Sequence, residues 1–339
     1  MKRIIRISLM SLIFTVGTVS AHHSVSYHFD ADSPSSINGV VKQFRLRNPH
    51  TEMQVDVTNT DGSITTWRVE MTSRATLEKQ GWTISQFRPG QQIKIDGFSA
   101  RREENAIYLR EAYVDNEPVT SFNYGKLAIP SEPDPSQEVD TSVVGTWVRA
   151  IEPTDPSRSG QPLEPNAVNP YSENLTEAGL AASQAYRADV DDPGLKCQAA
   201  SIVRVWGQPD FSPTVISREG DILTIQHEVF DLKRTVYLNQ DHPDDISPSM
   251  LGHSIGRFEE DELIIDTYGF KPGVLLTHPG VLHTDQLRVI ERFNVNQDTG
   301  VMTMEWTATD PNYFAKPQTK RTYFVRSNIP LGKFDCMTD

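Results

Sequence analysis

The sequence predicts a mainly β protein of two barrels, a small one followed by a larger antiparallel one, with few short helices. Three observations carry this expectation. Short runs rich in Val, Ile, Phe and Thr recur along the chain and are bounded by Gly, Pro, Asp and Asn. A Pro-rich, acidic stretch over 117–142 divides those runs into two sets. Helix signals occur at only two places, after Ser73 and between Asn174 and Cys197.

The elements follow in order. Residues 1–21 read as a signal peptide. Lys2, Arg3 and Arg6 precede an apolar run from Ile7 to Val19, and Val19-Ser20-Ala21 places small residues at a cleavage site. The run is too short for a bilayer span, which needs about 20 residues. The first domain is expected over 22–116. Strand-like runs cover 37–46, 51–58 and 64–70, with Asp61-Gly62 as a turn. Ser73 caps a short helix over 74–80 that Gly81 ends, and strands over 92–98 and 106–114 follow Pro89-Gly90. Three strands, a helix and two strands is the order of an OB-like barrel. The linker 117–142 precedes a second domain over 143–339.

In that domain Val143–Arg149 is a strand, and a second Pro-rich insert runs from Pro153 to Pro170. Asn174 and Glu177 have capping-box spacing for one helix, with a weak apolar face from Leu175, Leu180 and Ala181. A meander is expected from Ser201 onward, with strands near 201–206, 214–218, 222–229, 233–239, 253–258, 262–268, 286–295, 301–309 and 319–326. So many antiparallel strands need closure to protect their edges, which predicts a barrel of about eight to ten strands. Gly145-Thr146-Trp147 resembles the Gly-x-Trp on the first strand of lipocalins, so the barrel is expected to be lipocalin-like.

Composition narrows function. Of 339 residues, 32 are Lys or Arg and 45 are Asp or Glu, a formal net charge of −13. Three basic residues and no acid fall in the signal segment, so the mature chain would carry −16. Phosphate recognition needs clustered Lys and Arg, so a nucleic-acid partner is not expected, even with an OB-like barrel. Two Cys are too few for a closed four-Cys zinc site. In an oxidising compartment Cys197 and Cys336 are instead expected to form one disulfide. Phosphate-binding Gly loops, nucleophile elbows, His-Glu-x-x-His pairs and dinucleotide fingerprints are missing from the sequence.

Alternation along strands locates polar residues that point inward. Leu223, Ile225, His227 and Val229 share one face, as do His283, Asp285, Leu287, Val289, Glu291 and Phe293. A carboxylate on an apolar face has a raised pKa unless it is paired, and raised carboxylates with neutral His serve acid–base catalysis. Glu291, His283, Asp285 and His227 are therefore candidate catalytic residues. The competing structural reading pairs Glu291 with Arg257, Arg288 or Arg321. His253, Arg257 and Asp266 are candidate ligand contacts at the barrel entrance, beside the loop His242-Pro243-Asp244-Asp245. Cleavage after Ala21 would expose the His22 amine, which with His23 and His50 offers nitrogen donors suited to copper(II).

Ala21-His22-His23-Ser24, Asn48-Pro49-His50, Trp67-Arg68-Val69-Glu70, Gly81-Trp82 and Pro89-Gly90 resemble a family of exported bacterial proteins, a domain of unknown function, over about residues 21–116. His242-Pro243-Asp244-Asp245, Gly252-His253-Ser254-Ile255-Gly256-Arg257, Asp266-Thr267, Gly269-Phe270, His283-Thr284-Asp285 and Glu291-Arg292-Phe293 resemble a recurrent exported bacterial module. Neither resemblance implies an activity.

Three functions are expected to compete. The first is an exported, periplasmic or secreted protein that binds a partly apolar small molecule in the second barrel, with cofactor-independent acid–base chemistry (isomerase, lyase or hydrolase) if it is an enzyme. The second is a non-catalytic carrier of lipocalin type. The third is a periplasmic copper-binding protein.

Overall fold

The computed structural model describes residues 25–119, 140–150, 171–207, 211–277 and 280–337. The predicted signal segment and most of the predicted linker lie outside them.

A four-residue helix, α1 (Val25–His28), leads into the first sheet. Its strands are β1 (Phe29–Arg45), β2 (Glu52–Thr58), β3 (Ile64–Glu70), β4 (Gln92–Ala100), β5 (Ala106–Val114) and β6 (Glu117–Pro118). Their order is β3-β2-β1-β4-β5-β6, and a short parallel pairing joins β3 to β5. Alternation places Met53, Val55, Ile93 and Ile95 in a core of this sheet's own. Gly97 lets β4 pass close to β5, because a Cβ there would lie 2.1 Å from the Tyr108 carbonyl oxygen. Helix α2 (Arg74–Lys79) starts as the sequence predicts: the Ser73 hydroxyl accepts from the Thr76 amide, and Leu77 is buried below it.

The second unit is a closed barrel of nine strands. These are β7 (Gly145–Arg149), β8 (Thr214–Glu219), β9 (Ile222–His227), β10 (Lys233–Leu238), β11 (His253–Glu259), β12 (Glu262–Tyr268), β15 (Arg288–Val295), β16 (Met302–Thr309) and β17 (Gln318–Arg326). A short hairpin, β13 (Gly273–Leu276) with β14 (Val281–His283), packs Leu275, Leu276 and Val281 into the same core. Trp147 of the Gly-x-Trp motif is fully buried; its indole donates to the Val143 carbonyl, and the Arg326 guanidinium lies 4.5 Å from its ring.

Four expectations need correction. First, the barrel is not wholly antiparallel. An odd number of strands cannot alternate direction around a closed ring, so one neighbouring pair must be parallel, and that pair is β10 with β11. Second, residues 201–206 are not a strand. They form a turn and a 3₁₀ helix (Arg204–Gly207) held by the Ser201 hydroxyl, which donates to the Leu275 carbonyl and accepts from the Arg204 amide. Trp206 from this segment fills the barrel, edge-on to Phe293 and Phe324. Third, helix α3 (Glu177–Ala185) is capped by Thr176, whose hydroxyl accepts from the Gly179 amide, and not by Asn174. Its contact face is Gly179, pressed on the Tyr313 carbonyl, while Leu180 is exposed. A one-turn helix, α4 (Ala188–Asp191), follows. Fourth, the strand expected from 286 begins at Arg288, so Asp285 lies on an exposed turn.

The two units meet at a junction around Asn48. Asn48 is fully buried there. Its side-chain amide donates to the Phe334 carbonyl, its side-chain oxygen accepts from the Ala75 amide at 3.0 Å, and its backbone carbonyl accepts from the Met337 amide. Ala75 packs with Val229 and Phe334, and the Lys79 ammonium pairs with the buried Glu228. Cys336 on this returning tail is bonded to Cys197, as expected, with a sequence separation of 139. Closing so long a loop restrains the unfolded chain, so reducing this bond is expected to lower unfolding stability by about 3–5 kcal/mol. Denaturant titration with and without reductant, beside a Cys197→Ser/Cys336→Ser variant, measures it.

Candidate functional site

The interior of the barrel holds a buried polar network. Glu291 on β15 points inward between Val289 and Phe293, as alternation predicts. Its partner is Arg234 on β10, whose two guanidinium nitrogens donate to the two carboxylate oxygens at 2.6 and 3.1 Å. The Trp206 indole donates to the same carboxylate at 2.8 Å. Arg257, Arg288 and Arg321 instead point outward and pair with Glu259, Asp266 and Glu305. The rule that found Glu291 also finds its partner: Arg234 lies two residues from the buried Val236 and four from the buried Leu238.

His227 lies in the same network, edge-on to Trp206, with its Nδ1 2.8 Å from the Thr214 hydroxyl. Burial pushes its pKa down to about 3, and the Arg234 charge adds to the effect. A cavity of about 10 Å³ lies beside it, lined by Arg149, Trp206, Ser212, Thr214 and Glu228. That is room for about one water.

His283 and Asp285 are held elsewhere. The His283 Nδ1 donates to the Thr284 carbonyl at 2.9 Å, with Phe270 edge-on to its ring, and burial lowers its pKa. Asp285 is exposed and accepts from Gln286. Glu291 and His227 thus share one network through Trp206, to which neither His283 nor Asp285 hydrogen-bonds among the described residues.

The parallel β10–β11 pair creates a second cluster on the outside of the wall. Parallel neighbours need a crossover, and the chain over 239–252 supplies it. His242 on this crossover sits against outward residues of β11 and β12. Its ring lies 4.1 Å from that of Tyr268, and its Nδ1 lies 2.9 Å from the Nδ1 of His253. His253 stacks on Tyr237, with the planes 9° apart. Asp266 faces the His242 Nε2 at 4.0 Å and is itself held by two hydrogen bonds from the Arg288 guanidinium. His242 Nε2 is buried and has no hydrogen-bond partner among the described residues. Burial lowers the pKa of both His242 and His253. Of the three expected ligand contacts, His253 and Asp266 converge here, while Arg257 turns away to Glu259. His242, carried in by the 239–252 crossover, is the residue that lies between them.

His22 and His23 lie outside the described residues. His50 lies 3.0 Å from Glu70, which the Arg68 guanidinium also holds at 2.7 Å. Burial opposes a charge on His50, but the Glu70 carboxylate and the Met71 carbonyl outweigh it and raise the pKa. A retained proton competes with metal ligation. Among the described residues, no three His, Cys, Asp or Glu are grouped to hold a metal ion.

Residues 11–107 match the model of a family of unknown function (DUF6152). No curated protein matches the chain. Among solved structures, the N-terminal domain of PriB protein from Thermoanaerobacter tencongensis is 10% identical, with a TM-score of 0.18, and covers 24% of this chain and 96% of its own. The Ifi202 HINa domain in complex with 20bp dsDNA is 10% identical, with a TM-score of 0.15, and covers 78% of this chain and 97% of its own. Overlaps this poor carry no argument about fold or function. No helix among the described residues is long and apolar enough to cross a membrane.

Two predictions follow from the interior network. Arg234→Met leaves the Glu291 carboxylate buried without its cation, so a loss of about 3–5 kcal/mol in unfolding stability is expected. Chemical denaturation of Arg234→Met beside Arg234→Met/Glu291→Leu checks this, because the double variant recovers most of the loss. His227 takes up its proton near pH 6.5 when unfolded but only near 3 when folded. Its contribution is therefore intact above 6.5 and falls as the pH drops, by roughly 2–4 kcal/mol at about pH 4. The stability difference between wild type and His227→Gln, followed from pH 7 to 4, should narrow by that amount.

Proposed function

We propose that the chain is an exported protein that binds a partly apolar small molecule on the outer wall of its second barrel, around His253, His242 and Asp266. One observation carries the reading. His242 Nε2 is a buried polar atom with no hydrogen-bond partner among the described residues, in a ring that lies against Tyr268, Asp266 and His253, the last stacked on Tyr237. Buried polar atoms are nearly always satisfied, so an orphan beside a charged and aromatic cluster points to a site. Tyr237 and Tyr268 supply the apolar surface, and Asp266 and Arg288 the polar one.

The packing of the interior favours the outside over the inside. Trp147, Trp206 and Trp306 fill the barrel, and the cavity beside His227 has a water's volume, whereas a carrier of lipocalin type encloses its ligand. Glu291 has both oxygens engaged by Arg234 and Trp206 and is fully buried, so neither oxygen is presented to a substrate. Acid–base chemistry, if the protein turns its ligand over, belongs to the neutral imidazoles outside. The signal-like start and the disulfide support export.

Mass spectrometry of small molecules extracted from the purified, exported protein tests the reading. A co-purifying compound is expected with wild type, and its yield should fall at least tenfold in Tyr237→Ala/His253→Ala. An equal yield from both proteins, each folded by circular dichroism, removes the site.

A further inference from the structure

We infer that His242 and His253 form a proton relay on the outer wall, oriented by the charge of Asp266, with His253 Nε2 as its base toward the bound molecule. The inference rests on the outer-wall site proposed above and names its chemistry.

The tautomers follow in sequence from Asp266. Its carboxylate is fixed by the Arg288 guanidinium and its side chain is 9% exposed, so it is a fixed negative charge. The atom of His242 that faces it, at 4.0 Å, is Nε2. The separation exceeds a hydrogen bond, yet the charge favours the tautomer with the proton on Nε2, as carboxylates opposite imidazoles do. Neutral His242 then presents a lone pair at Nδ1. The His253 Nδ1 lies 2.9 Å from that lone pair. Two lone pairs at this distance would repel, so His253 carries its proton on Nδ1 and donates it. Neutral His253 is left with a lone pair on Nε2.

The surroundings keep this state ready. Burial favours the neutral form of both rings around pH 7. The groups facing His242 are Asp266 and Asp241, which favour its charged form, Arg288 and His253, which oppose it, and the Tyr268 ring. The Tyr237 ring lies parallel to His253 with centroids 5.1 Å apart and fixes its plane.

The step balances without a co-reactant. A C–H or O–H bond of the bound molecule breaks, its electron pair stays on that molecule, and the proton bonds to His253 Nε2. The positive charge is then shared as the His253 Nδ1 proton moves toward His242 Nδ1, and the Asp266 carboxylate, 4.0 Å from His242 Nε2, stabilises it through space while the Nε2 proton stays on His242. Return of a proton from His253 Nε2 to another atom of the same molecule completes an isomerisation. The substrate class is therefore a small, partly apolar carbon or oxygen acid. His242 and Asp266 are positioning residues.

Long-range ¹⁵N–¹H correlation on ligand-free, His-labelled protein near pH 7.5 reads the tautomers directly. Assignments come from His242→Gln and His253→Gln. The expected result is the Nε2–H tautomer for His242 and the rarer Nδ1–H tautomer for His253. Asp266→Asn should lower the His253 pKa by about one unit, a tenfold loss of proton affinity. An Nε2–H tautomer on His253, or a His253 pKa unmoved in folded Asp266→Asn, overturns the relay. If Asp266→Asn does not fold, the wild-type tautomers decide alone. Because the measurement needs no ligand, a failed relay leaves the extraction result standing. A failed extraction likewise leaves the tautomers intact.

Discussion

A closed ring of nine strands cannot reverse direction at every step. That constraint organises the second domain. One pair must run parallel, a parallel pair must be joined by a crossover, and a crossover on a closed barrel with a filled interior has to pass outside. The crossover over 239–252 carries His242 onto the outer wall, where Asp266 and His253 already face outward by alternation.

The interior answers a different need. The segment around Trp206 is folded into the barrel, where the indole packs against Phe293 and Phe324. An indole brings a donor that must be satisfied, and Glu291 satisfies it. A buried carboxylate requires a cation, and Arg234 supplies one from across the barrel. The inward Glu is thus explained by the packing of the tryptophan as much as by any chemistry it might perform.

Legibility in the sequence divides along the same lines. Strands with clean alternation, such as Leu223–His227 and Val289–Phe293, were readable, and so were the inward directions of His227 and Glu291. The Ser73 cap was readable because side chain, spacing and following apolar residues agree. The 201–206 segment misled because a run of Val, Ile and Trp looks the same whether it pairs as a strand or plugs a barrel; periodicity cannot tell the two apart. Asp285 points inward only if the alternation is continued past the end of its strand, which begins at Arg288. The outer cluster was half legible. His253 and Asp266 stood out in their motifs, but what joins them is a loop residue whose position depends on strand count, a global property that no local window contains. Arg234 was legible in principle, since the alternation that placed Glu291 applies to it equally.

The junction at Asn48 also orders events in time. The first sheet and α2 are complete in the chain long before residue 334 is made, so the Asn48 amide and the patch around Ala75 wait through the synthesis of every strand of the second barrel. The returning tail arrives last; it satisfies that amide and carries Cys336 to Cys197. A chain cut short before Phe334 would keep a hydrogen-bonding gap in an otherwise finished first domain. The covalent bond thus anchors to the segment at Cys197 the same tail that fills the gap at Asn48, so the last-made residues of the chain complete a hydrogen-bonding pattern begun by some of the first.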